Sequence, residues 1–304
     1  MDITLQTKVK EKISLLIFSL IVSQLSAQTV IFEDTFDTSL TSGSETDVNF
    51  EIGGGRQVVG SSTYTEQDKT GIGGFIKVYP NFSGGGFINV YPSFSGGALM
   101  LRNAYQNGIP SVAGVVLDQN LAGQLEGQHY RVSFDALFTR GTIGPDRWMG
   151  VYLMGALPTV INNANVNNAA TDFALLLRDD GRANVWDDGS VLTNFPTRGT
   201  TPVVTGTVYS VLLDINETIL PPEVTVTVAG SLLGTFSIDF DEGDTNSRYI
   251  GFSAQTGGAA GGIDGQIFDA RYDNVKIDII PEPSAHALFG SLFAMLCLFM
   301  RHRR

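Results

Sequence analysis

Apolar and polar residues alternate with a period of two along most of the chain between positions 30 and 279. In HYRVSFDALF (129–138), Tyr130, Val132, Phe134, Ala136 and Phe138 fall on one face, and Arg131, Ser133 and Asp135 on the other. That is the spacing of a strand with one face buried and one solvated. EVTVTVA (223–229) turns Val224, Val226 and Val228 inward and leaves threonines, which suit a solvated strand face, between them. TVYSVLLDIN (207–216), LLGTFSIDF (232–240), RYIGFSA (248–254) and WMGVYLMG (148–155) read as further strands, separated by Gly, Pro or Asn-Asp turns. Helical periodicity of useful length is absent outside the two ends. The pattern predicts an all-β body of roughly a dozen strands in two antiparallel sheets packed face to face.

The two ends follow different rules. Lys8, Lys10 and Lys12 precede an apolar run from Ile13 to Val22, and Leu25-Ser26-Ala27 follows it. These are the three parts of a secretory signal, with cleavage expected between Ala27 and Gln28. At the other end, Pro281-Glu282-Pro283 is followed by the apolar run Ala285–Met300 and then by Arg301, His302, Arg303 and Arg304. A helix over that run spans about 24 Å, marginal for a hydrocarbon core of about 30 Å. The arginines would stay on the cytoplasmic side. The two prolines stop the upstream strand and hold the segment before the helix extended. Pro-Glu-Pro, apolar helix and Arg-rich terminus together resemble the PEP-CTERM sorting signal of Gram-negative bacteria. The resemblance implies recognition by an exosortase, removal of the tail near the triplet, and an association with exopolysaccharide production. The expected division is 1–27 signal peptide, 28–280 β-sandwich and 281–304 sorting segment, in a protein exported by way of the inner membrane to the cell envelope or beyond.

Charge and cysteine content narrow the partners. The chain of 304 residues carries a formal charge of −12. Without the two ends the imbalance deepens to −15 over residues 28–280, from 13 basic against 28 acidic residues. Such a body repels nucleic acid and anionic surfaces. The one cysteine, Cys297, lies in the terminal apolar run. The body therefore has neither disulfide nor thiolate metal site, and its stability must come from its core.

The edges of the body carry a second resemblance. It opens with VIFEDTFD (30–37) and closes with FDARYDNVKIDI (268–279). These strands are similar to the first and last strands of the concanavalin A-like, laminin-G-like jelly rolls, which lie side by side. The resemblance implies a sandwich with one concave sheet, a common carbohydrate-contact surface, and a structural calcium where first and last strands meet. Glu33, Asp34 and Asp273 occupy the corresponding motifs. The alternative for Asp273 and Asn274 is a bulge, since the inward phase shifts there from Phe268-Ala270-Tyr272 to Val275-Ile277-Ile279.

No catalytic set assembles in the sequence. The body holds one histidine, His129, at the start of an alternating strand, and a Ser-His-Asp or Cys-His device cannot be built around it alone. A retaining glycosidase needs two carboxyls about 5–5.5 Å apart. The Glu-x-Asp-x-Glu and Glu-x-Asp-x-x-Glu strands of the hydrolases in this superfamily do not occur here. SIDFDEGD (237–244) reads as a strand end and turn. Sugar binding needs aromatic faces flanked by polar groups. Trp148 and Trp186, the only tryptophans, each adjoin charged residues, although large aromatics also fill sandwich interiors. GGFIKVYPNFSG (73–84) is repeated at once as GGFINVYPSFSG (85–96). The pair suggests a hairpin of copied arms presenting Tyr79 and Tyr91, or a duplicated edge strand with no task. The expectation is a non-catalytic adhesive or carbohydrate-binding protein of the envelope or matrix. Its rivals are a secreted glycoside hydrolase or lyase with carboxylates from separate strands, and a purely structural matrix protein.

Overall fold

The structure, a computed structural model, describes residues 28–34, 58–59, 64–66, 92–94, 98–104, 112–117, 120–138, 147–156, 171–187, 190–195, 201–240, 247–256 and 267–281. Val30–Ile279 is one compact unit, distinct from the chain ends. In chain order its elements are β1 (Thr29–Asp34), β2 (Val58–Val59), β3 (Tyr64–Glu66), β4 (Pro92–Phe94), β5 (Leu99–Ala104), β6 (Val112–Leu117), the single-turn α1 (Ala122–Leu125), β7 (His129–Phe138), β8 (Arg147–Met154), β9 (Thr171–Arg178), β10 (Ala183–Asp187), β11 (Ser190–Phe195), β12 (Tyr209–Asn216), β13 (Glu223–Val228), β14 (Ser231–Ser237), β15 (Tyr249–Thr256) and β16 (Ile267–Ile279).

These strands form two antiparallel sheets. Sheet A runs β14-β13-β12-β7-β16-β1-β2, with β5 also paired to β16 and β4 to β5. Sheet B runs β11-β10-β9-β8-β15-β6-β3. First and last strands are neighbours, as the resemblance implied. The alternation in β7 is realised residue by residue: Tyr130, Val132, Phe134, Ala136 and Phe138 are buried while the residues between them are half-buried. β13 likewise buries Val224, Val226 and Val228. Their partners across the sandwich are Met149, Val151 and Leu153 of β8, Phe173, Leu175 and Leu177 of β9, and Ile250, Phe252 and Ala254 of β15. At the centre Phe252 meets Phe134 edge-to-face, with centroids 5.4 Å apart, and lies 5.0 Å from Tyr272, the tilted geometries that ring quadrupoles favour.

In β16 the register shifts between Asp273 and Lys276, and Asn274 takes φ 49°. The bulge restores the inward phase, so Tyr272 and Val275 are both buried. Asp273 Oδ1 accepts from Asn274 N at 2.7 Å, and Asn274 Nδ2 donates to Asp135 at 2.8 Å.

One end of the sandwich is clasped by a buried ion pair. Glu217, just past β12, accepts from Arg248 Nε and Nη2 at 2.9 Å each, from the Tyr130 hydroxyl at 2.9 Å and from Gly127 N at 3.2 Å. The Arg248 guanidinium also lies 3.9 Å over the Phe240 ring. The carboxylate and guanidinium are thus multiply bonded, as burial demands.

Candidate functional site

Sheet B is apolar on both faces. Its outward side carries a second buried cluster of Val116, Tyr152, Met154, Ala174, Leu176 and Trp186, with Trp148 and Tyr249 packed against it half-buried. Every residue of β9 is accordingly buried, and its stretch FALLL (173–177) reads as a continuous apolar run rather than an alternating one.

The register explains how large rings fit on a pleated surface. Tyr152 lies between Gly251 on β15 and Ala174 on β9, and Trp186 on β10 lies beside the same Ala174. Small residues flank each ring. Gly150, two positions before Tyr152, sits beneath its phenol: a Cβ there would lie 2.5 Å from Tyr152 Oη and 2.8 Å from Leu176 Cδ2. The phenol is hydrogen-bonded to the Ser253 hydroxyl. Burial raises its pKa, against a smaller downward pull from Ser253, and it stays a neutral donor and acceptor.

Trp186 is 9% exposed, and its indole Nε1 is buried without a hydrogen-bond partner. A buried N–H of this kind costs about 1–3 kcal/mol until an acceptor reaches it.

Trp148 stands at the margin of the face. The Arg178 guanidinium lies 4.8 Å over its ring, a cation–π contact. Arg178 opens the turn Asp179-Asp180-Gly181, where Gly181 takes φ 83°, a conformation natural to glycine. Asp180 holds Arg182 at 2.6 Å and Arg178 at 3.6 Å, while Asp179 pairs with Arg147. Burial raises the Asp179 carboxyl, only partly offset by Arg147. Burial would raise Asp180 too, but bonds from Arg182 outweigh it and the net shift is downward.

Both tryptophans therefore lie on one surface, and it is not the inter-sheet core. Sequence reasoning missed Tyr152 and Tyr249, although WMGVYLMG already sets Trp148, Gly150 and Tyr152 on one face. Tyr79 and Tyr91 lie outside the described residues, as do Ala27, Glu282, Pro283, Arg301, Arg303 and Arg304; the second repeat copy ends as β4 on β5. Gln28 is exposed and Pro281 half-buried at the two limits of the body. His129 Nε2 lies 2.5 Å from Asp214, which Arg131 also holds at 2.9 Å, an outward pairing on sheet A. Glu33 and Asp34 alternate along β1, half-buried and buried respectively, and neighbouring strand residues point to opposite faces. Asp273 is engaged in the bulge. Among the described residues no group of three His, Cys, Asp or Glu side chains is placed to hold a metal.

No family model matches the chain, and no curated protein sequence resembles it. Solved structures do. An endo-1,3-β-glucanase from Streptomyces sioyaensis superposes with a TM-score of 0.52 at 14% identity, over 84% of this chain and 98% of that one. The fold is that of a jelly-roll sandwich. The lectin UEA-II, in complex with galactose, gives a TM-score of 0.44 at 10% identity, over 73% of this chain and 99% of its own. A sialidase gives 0.38 at 15% identity over 66% of this chain, which spans 17% of the sialidase's length.

Proposed function

We propose that the protein is an exported, exosortase-sorted, non-catalytic envelope or matrix component that binds carbohydrate on the outward face of sheet B. The observation that carries this reading is the gathering of Trp148, Tyr152, Trp186 and Tyr249 on the outward side of sheet B, where Trp148 and Tyr249 are only half-buried. Sugars present apolar C–H faces to aromatic rings of this kind. The similarity of fold to a glucanase and a lectin is compatible with a polysaccharide ligand.

A glycan array probed with residues 28–280 tests the binding. Binding that disappears in Trp186→Ala supports the reading, whereas release of reducing sugar from the bound glycan favours an enzyme. The mass of the protein recovered from its native envelope tests the sorting: loss of the segment beyond Pro281–Pro283 is expected, and an intact tail contradicts it.

A further inference from the structure

We infer that the loop joining β12 to β13 is a membrane-contact element that meets the lipid surface while the protein is held by its C-terminal segment. This inference rests on the sorting-tail reading above and adds to it a site on the folded body.

Three observations converge. The first is exposure: Leu220 at the loop tip is 93% exposed and Ile219 39%, followed by Pro221 and Pro222. Leu220 is thus nearly bare, the most exposed large apolar side chain among the described residues, ahead of Leu232 at 68%. The second is rigidity at the loop's base. Glu217 is fixed by Arg248, Tyr130 and Gly127, Thr218 donates through N and Oγ1 to Asn216 Oδ1 at 3.0 and 2.7 Å, and Pro222 O accepts from Ile238 N at 2.9 Å. An apolar tip on such a base does not fold back to hide itself.

The third is position. Tyr130 of β7 pairs with Ile215 of β12 and with Ile279 of β16. β12 and β16 are both antiparallel to β7, so they run the same way and finish at the same end of sheet A. The loop therefore lies at the same end of sheet A as Ile279, the last residue of β16. Only residues 282–284 separate Pro281 from the apolar run that begins at Ala285, and a four-residue step covers at most about 14 Å. If that run sits in the bilayer, this end of the body is held at the interface. There, exposed Leu and Ile side chains gain by entering the headgroup–acyl boundary. The net negative body disfavours a purely electrostatic contact, so the contact has to be apolar.

The test uses the full chain with its native cysteine removed (Cys297→Ser), reconstituted into phosphatidylethanolamine–phosphatidylglycerol vesicles. A solvatochromic dye is attached to Leu220→Cys, or to Val208→Cys as control. Val208 is 61% exposed and precedes β12 at its opposite end. We expect dye at 220 to shift to the blue and to be quenched by brominated acyl chains, and dye at 208 to remain in water. A chain that floats with vesicles while both positions stay aqueous overturns this inference and leaves the tail reading intact. A blue shift at 220 without quenching by brominated lipid signals a protein contact instead and also overturns it. A chain that fails to float overturns both readings.

Discussion

Tyr272 of sheet A reaches through the core to hold Gly150 of sheet B: its hydroxyl accepts from Gly150 N at 3.2 Å and lies 3.1 Å from Gly150 O. The same hydroxyl donates to Ser253 O at 2.5 Å. Gly150 and Ser253 are register partners on β8 and β15, and their outward sides are where the Tyr152 phenol meets the Ser253 hydroxyl. The two faces of sheet B are thus fixed at one point, from inside by one tyrosine and from outside by another.

Tyr272→Phe removes an inward anchor and leaves backbone groups of Gly150 and Ser253 buried without it. The expected loss is about 1–3 kcal/mol in urea unfolding. Tyr209→Phe is the comparison. Its hydroxyl donates to the Met149 sulfur at 2.8 Å, a weak acceptor, and the loss should stay below about 1 kcal/mol. Equal losses would count against the anchor.

Gly150→Ala should be destabilising and should dislodge Tyr152 from Ser253, since the new Cβ meets the phenol and Leu176 below contact distance. Overpacking of this type costs about 1–3 kcal/mol. Gly123→Ala in α1 has nothing within 4 Å of the added Cβ and should be neutral or stabilising by up to about 1 kcal/mol. Thermal melts of the two variants separate the cases.

Glu217→Ala strands the buried Arg248 guanidinium and should cost about 3–5 kcal/mol. A double replacement, Glu217→Met with Arg248→Met, should recover much of that loss. A double variant no more stable than the single one would show that the pair does more than neutralise itself.

Asp278 is buried on β16, and burial raises its carboxyl above the ordinary 3.8, with Lys276 and Arg131 pulling down and Asp214 and Glu33 pushing up. The unfolded chain therefore loses this proton first. Asp278 contributes stability below about pH 4 that is lost as pH rises through the raised folded value. Asp278→Asn removes that decline, so the variant should gain on the parent as pH climbs through this window. Urea midpoints from about pH 3 to about pH 7 measure it, and a difference that does not change with pH would refute the assignment.

Much of the architecture was legible because alternation with period two reports a face directly, as in Tyr130–Phe138. The phase jump between Tyr272 and Val275 was legible for the same reason. β9 was not, because a strand buried on both sides loses its alternation: TDFALLLR carries no period that separates Phe173 from Ala174. The face with both tryptophans was hidden for a related reason. Trp148 and Trp186 come together only through the register of β8, β9 and β10, which a linear pattern does not contain.

Because Trp148 and Trp186 are the only tryptophans and both belong to the outward face of sheet B, intrinsic fluorescence of residues 28–280 reports that face alone. Titration with a panel of neutral and acidic oligosaccharides should shift and saturate the emission for at least one of them, with the response reduced in Trp186→Phe and abolished in Trp186→Ala. Array-confirmed glycan binding that leaves tryptophan emission unchanged, or persists undiminished in Trp186→Ala, would place the ligand elsewhere and contradict the account.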